Sequence, residues 1–213
     1  MNVLQNIVNE IIEYLENKDE IREQLIKNSR EIIRTCRSLV NKIHRRETCN
    51  IEEDFKKLES LVNTLKLNCQ KFPDFYYSGI VQNALMEYYE TILLYSFITG
   101  ESLQNIQLSQ ENYVAFLLGL SDVVGELRRE LVQALINDKI EQAIRYFNYM
   151  EQIYTQLSKL SFPNALTPGL RNKVDRIRHT IEASRNDILY VKKSREVIES
   201  LDKVIVKSEP RDS

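Results

Sequence analysis

Only five glycines and four prolines punctuate this chain of 213 residues. Hairpins and sandwiches need turn residues every 8–12 positions, so so few breaks leave long helices as the workable secondary structure. The apolar residues agree, recurring at three- and four-residue spacing. Val3, Leu4, Ile7, Ile11 and Leu15 predict a first helix over 2–17, with Asn17-Lys18-Asp19 as a break and Asp19 as the next cap. A long second helix to about Arg46 carries Leu25, Ile26, Ile33, Cys36, Val40 and Ile43. Capping patterns at Asn50, Ser109 and Asp138, and Thr167-Pro168, open further helices. The expectation is one all-α domain over 1–206, a seven-helix bundle with long second and C-terminal helices, then a polar tail over 207–213 that frays.

Bulk properties exclude several function classes. Net charge is -2 with 28% charged residues, so any basic surface must be local. Cys36, Cys49 and Cys69 form no Cys-x-x-Cys spacing and are odd in number, which argues against a disulfide framework or a zinc ribbon. Two histidines make a Cys/His metal site a poor fit. No apolar run approaches the ~18 residues of a membrane span, so the expectation is a soluble, cytoplasmic protein without a membrane partner.

Chemistry concentrates in Tyr113–Glu130, an apolar helical run carrying Asp122 and Glu126 four residues apart, hence on one face. Gly119 and Gly125 sit inside it at roughly 1 kcal/mol each relative to Ala, as if something must come close. The preceding helix has a matching anomaly: Ile80, Asn83, Glu87, Glu90, Leu94 and Phe97 form a seam interrupted by two acids. Carboxylates withdrawn from water need cations. Lys or Arg would serve, but four converging carboxylates suit a hard divalent ion, Mg or Mn, able to polarise a phosphodiester. A di-iron site is the weaker alternative, because such bundles use Glu-x-x-His pairs and neither histidine lies near.

A second pattern is basic. Arg30, Arg34, Arg37, Asn41 and His44, with Arg45 beside them, form a stripe suited to phosphate oxygens; Glu31 is expected to point elsewhere. Arg128 and Arg129 follow the acidic pair and would neutralise it or hold a phosphate. The last helix interleaves its cations with acids and is a weaker candidate. Phe72, Phe75, Tyr76 and Tyr77 either stack bases or, more in keeping with such clusters, fill the core at a helix start.

These pieces occur in an order that resembles the translin family, closer to its translin-associated factor X branch. The similarity runs from about Ile21 to Leu201. Its carriers are SREIIRTCRSLVNKIHR (29–45), KFPDFYY (71–77), ALMEYYE (84–90) and YVAFLLGLSDVVGELRRELV (113–132), the last with Gly-x-x-Asp-x-x-Gly-Glu-Leu. The resemblance implies a seven-helix subunit in hollow octamers that enclose RNA. It also implies Mg-dependent endoribonuclease activity, with Glu87, Glu90, Asp122 and Glu126 as catalytic and metal-binding residues. Arg30, Arg34, Arg37 and Arg45, with Arg129, would hold RNA inside a homo-octamer. The connection from about Thr99 to Glu111 is shorter than in animal members of that branch. The competing expectation is a shell that binds single-stranded nucleic acid without cutting it.

Overall fold

In the computed structural model, which describes residues 2–100, 106 and 108–208, every regular element is helical. The described residues form six α-helices: α1 (Asn2–Arg45), α2 (Ile51–Lys71), α3 (Gly79–Thr99), α4 (Tyr113–Ile136), α5 (Ile140–Leu157) and α6 (Leu170–Ser208). A 3₁₀ segment at Pro73–Tyr77 joins α2 to α3, and a shorter one at Gln110–Asn112 leads into α4.

The all-α expectation holds, but the count of seven does not, because the first two expected helices are one. Asp19 is not a cap: α1 runs through it without interruption for 44 residues. Lys18 explains why a polar triplet fails to break the helix. Its ammonium pairs with Asp74 at 2.8 Å and lies over the rings of Tyr14, Phe72 and Phe75. That anchoring holds the helical turn in place where local propensity alone favours a break. Asn50 sits at the N-cap of α2 as expected, although its side chain makes no capping bond, whereas Asp138 lies one residue before the N-cap of α5, Lys139. Both adopt left-handed backbone, φ 57° and 59°, at the junctions that follow α1 and α4, a conformation Asn and Asp tolerate better than most residues.

Two compact units divide the chain: Met1–Val123 with Pro163–Leu170, and Val124–Phe162 with Arg171–Ser213. In the first, α1 and α2 lie against α3. Leu25, Ile32, Cys36 and Leu39 of α1, Leu58 and Leu65 of α2, and Leu85, Leu93 and Leu94 of α3 are almost wholly buried. The second unit buries Leu127 and Leu131 of α4, Tyr146, Met150 and Leu157 of α5, and Ile177 and Ile181 of α6. Helix α6 extends through Lys207 and Ser208, where the sequence suggests a frayed tail; residues 209–213 lie outside the described residues, as do 101–105 and 107 in the connection over 99–111. Among the described residues no helix is long and apolar enough to cross a membrane.

The aromatic cluster packs together at a helix start, half-buried at Phe72, Phe75 and Tyr76 and not part of the buried core. Phe72 meets Tyr14 and Phe75 edge to face, and the Tyr76 hydroxyl donates to the Lys66 carbonyl at 3.1 Å. Only Tyr77, 72% exposed, keeps a ring open for stacking.

Candidate active site

Helix α3 starts where the Ser78 hydroxyl accepts the Val81 N–H and stops at Gly100, whose φ of 81° suits glycine. Between these ends it is buried around most of its circumference, and Glu87 and Glu90 are half-buried on it. Beneath them lies Cys36 of α1, fully buried. Burial pushes its thiol up to about 12; a hydrogen bond with Thr91 opposes this, and the charges of Glu87 and Glu90 add to it. Both carboxylates therefore act on one buried point. The Thr91 hydroxyl in turn donates to the Glu87 carbonyl at 2.8 Å, tying that turn together.

The thiol chemistry gives a direct check. Cys69 is likewise buried and raised to about 12, whereas Cys49 is exposed. Because the thiolate is the nucleophile, iodoacetamide at pH 8 should modify Cys49 alone in the native protein and all three cysteines in denaturant. Intact-mass spectrometry reads the difference; rapid native labelling of Cys36 would contradict its buried environment.

Helix α4 meets α3 at backbone distance. A Cβ placed on Gly119 would lie 2.7 Å from the Met86 carbonyl oxygen, 2.9 Å from the Glu90 nitrogen and 3.0 Å from the Tyr89 Cβ. No side chain fits there, so one of the two interior glycines answers the close approach expected of them. The other does not: Gly125 is exposed and would meet nothing within 4 Å. The helices run in the same sense where they touch, for Gln82 donates to the Glu111 carbonyl and the Tyr89 ring meets Phe116 before the Gly119 contact is reached. Asp122, half-buried, follows Gly119 by about one turn, beside the turn that carries Glu90.

Glu126 stands one turn further along α4, within the second unit, and approaches Arg129 at 3.9 Å. The same four-residue spacing continues to Glu130, which is 5% exposed. The sequence reading stopped at Glu126, although the repeat Asp122, Glu126, Glu130 was there to be counted. Arg128 is committed elsewhere in the second unit, to the Ser184 hydroxyl at 3.1 Å and to the Asp187 carboxylate.

The basic stripe of α1 is exposed at Arg30, Arg34, Arg37 and Arg45. Contrary to expectation, Glu31 faces it, pairing with Arg34 and, at 3.2 Å, with Lys57. Those two cations, Arg34 foremost, hold the Glu31 carboxyl below its ordinary range. Arg45 approaches Glu47 at 3.7 Å. Among the described residues neither Arg30 nor Arg37 makes an ion pair. The stripe lies on the outer side of α1, away from the face of Cys36 that senses Glu87 and Glu90. One copy of the chain therefore does not gather the arginines and the acids of α3 around one space.

The carboxylate oxygens of Glu87, Glu90 and Asp122 in the first unit fit a hard divalent cation and not a soft one. Among the described residues no three His, Cys, Asp or Glu side chains stand gathered as a ready metal cage. The bare backbone at Gly119 is what lets the turns carrying Glu90 and Asp122 lie so close.

Comparison with known proteins follows the same outline. Residues 20–190 match the Translin family. An uncharacterized protein of Methanocaldococcus jannaschii is 34% identical over 199 residues, covering 88% of this chain and 83% of its own length. The translin-associated protein X homolog of Schizosaccharomyces pombe is 24% identical over 188 residues, covering 79% of each chain. Among solved structures, a C3PO complex with duplex RNA superposes with a TM-score of 0.81 at 32% identity, over 88% of this chain and 97% of that one.

Proposed function

The chain belongs to the translin family, and from that premise we propose that it is a metal-dependent endoribonuclease. Its substrate is single-stranded or small structured RNA, cut inside an assembly of its own copies, with a homo-octamer as the expected form. Glu87, Glu90, Asp122 and Glu126 would hold Mg, or Mn in its place. Such an ion supplies Lewis-acid polarisation of the phosphodiester and lowers the pKa of water. The residues' part is to hold the ion by hard oxygen donors and, through one carboxylate, to orient the attacking water. The single observation that carries this reading is the backbone contact at Gly119, beside which Glu90 and Asp122 stand on adjacent turns. The RNA-bound neighbour of 32% identity supports RNA as the ligand.

The test uses end-labelled RNA with purified protein. Cleavage is expected with Mg and absent with a chelator; equal cleavage in both would remove the metal from the proposal.

Because the arginine stripe faces away from the acids within one copy, RNA held by it would reach the acids of another copy. Arg30 and Arg37, which make no ion pair among the described residues, are the cations most available to phosphates. Replacing both by Ala should weaken RNA binding and flatten its dependence on salt by about 0.7 per lost phosphate contact. Fluorescence anisotropy over a salt series measures both; an unchanged slope would place the RNA elsewhere. The carboxylates' ungathered arrangement favours a second reading, a shell that binds RNA without cutting it. That reading predicts the same salt dependence with no product in Mg.

A further inference from the structure

Helix α1 begins well before the body it packs on. From Val3 to Leu15 its apolar residues are bare: Leu4 is 67% exposed, Ile7 49%, Ile11 51% and Leu15 54%. They are not a new face. Eighteen residues make five α-helical turns, so Val3 lies in line with Ile21, Ile7 with Leu25, and Tyr14 with Ile32, all three of the latter buried. The face that α1 buries over 21–43 thus continues from Val3 to Leu15, largely uncovered except where Phe72 meets Tyr14, for about 18 Å at 1.5 Å per residue. A stripe of that extent is larger than monomeric proteins usually leave open.

A second bare stripe lies at the other end of the chain. On α6, Tyr190 is 75% exposed, Val197 58%, Ile198 57% and Leu201 56%. Their spacing of seven, then four, keeps Tyr190, Val197 and Leu201 on one side of the helix. The two stripes flank the segment over 20–190 that carries the family match.

Charge selects the pairing. Before Lys18 the α1 overhang carries Glu10, Glu13 and Glu16 and no Lys or Arg. Two overhangs packed together would gather six acids, and a polar face without cations does not suit an anionic membrane surface. Among the described side chains the α6 end has the opposite balance, with Lys192, Lys193, Arg195 and Lys203 against Glu196 and Glu199.

We propose that the α1 overhang of one copy docks, apolar face inward, on the C-terminal end of α6 in a second copy. The two patches differ, so the contact is heterologous and repeats from copy to copy until a ring closes. The inference deepens the self-association in the preceding reading and does not depend on catalysis. Its test reads particle mass, so it fails or stands apart from the cleavage assay.

The full chain is measured by size exclusion with light scattering. Wild type is expected to exceed the mass of one copy at micromolar concentration. Ile11→Glu with Leu15→Glu should cut the mass at least twofold, leaving helix content by circular dichroism unchanged because both side chains are already exposed. If helix content falls, Ser at the same two positions replaces Glu in the test. Val197→Glu with Leu201→Glu should have the same effect. Mixing the two defective variants should restore particles of two copies, since one intact α1 then meets one intact α6. Wild-type mass in either variant, or no recovery on mixing, overturns the pairing. Vesicle binding that is lost in the α1 variant while its mass stays at the wild-type value would make the stripe a membrane contact instead.

Discussion

Asp122→Asn should lower Mg-dependent RNA cleavage by about 10²- to 10⁴-fold, the range for loss of a group acting directly on the reacting atoms. The change keeps the side chain's size and removes its charge. Asp122 is the acid that follows the Gly119 contact by one turn, beside the turn of Glu90. Without its charge, the two helices offer an ion one hard anionic donor fewer at their closest approach. The fold should not suffer, since Asp122 is only half-buried and Asn keeps its size and can still hydrogen-bond. Three measurements on the same sample separate the causes. Cleavage falls, the Mg concentration for half-maximal rate rises, and the urea midpoint stays within the error of wild type. RNA binding, measured with chelator present, is expected to persist, because the arginine stripe is untouched. Undiminished cleavage by pure Asp122→Asn protein would sink the assignment of this site.

The helical faces of α3 and α4 were legible in the sequence, and what was not legible elsewhere has physical causes. Helical periodicity gave the faces of α3 and α4, because half-buried acids on apolar seams are conspicuous at three- and four-residue spacing. The break expected at Asp19 was wrong for a tertiary reason. Lys18 finds Asp74 and three aromatic rings supplied by both sides of the junction, and a partner some fifty residues away cannot be read from local propensity. Glu31 was misjudged because a pairing three residues along a helix is within reach of its flexible side chain, as its contact with Arg34 shows. Cys36 was read only as a core residue. That its thiol lies near Glu87 and Glu90 depends on how α1 docks on α3, which no spacing rule encodes. The two glycines of α4 looked alike in the sequence and are not alike in space.

That difference sets the second large effect. Gly119→Ala should destabilise the protein by about 1–3 kcal/mol, the usual cost of forcing an extra methyl into a filled contact. It should do so although Ala is about 1 kcal/mol better than Gly in a helix interior. The added Cβ would meet the Met86 carbonyl oxygen at 2.7 Å and the Glu90 nitrogen at 2.9 Å. Both are backbone atoms of a central helix, unable to swing aside as a side-chain tip would, so α4 must lift away from α3. The carboxylates of Glu90 and Asp122 ride on the two surfaces being wedged apart, and metal-dependent cleavage should fall together with stability. Gly125→Ala is the control, six residues further along the same helix. A Cβ there meets nothing within 4 Å, so only the helix propensity acts and stability should rise by about 0.5–1 kcal/mol. Urea unfolding of the two variants is expected to move in opposite directions. If both gained stability, the close packing of α3 on α4 would be wrong, and with it the reason for bringing their acids to one ion.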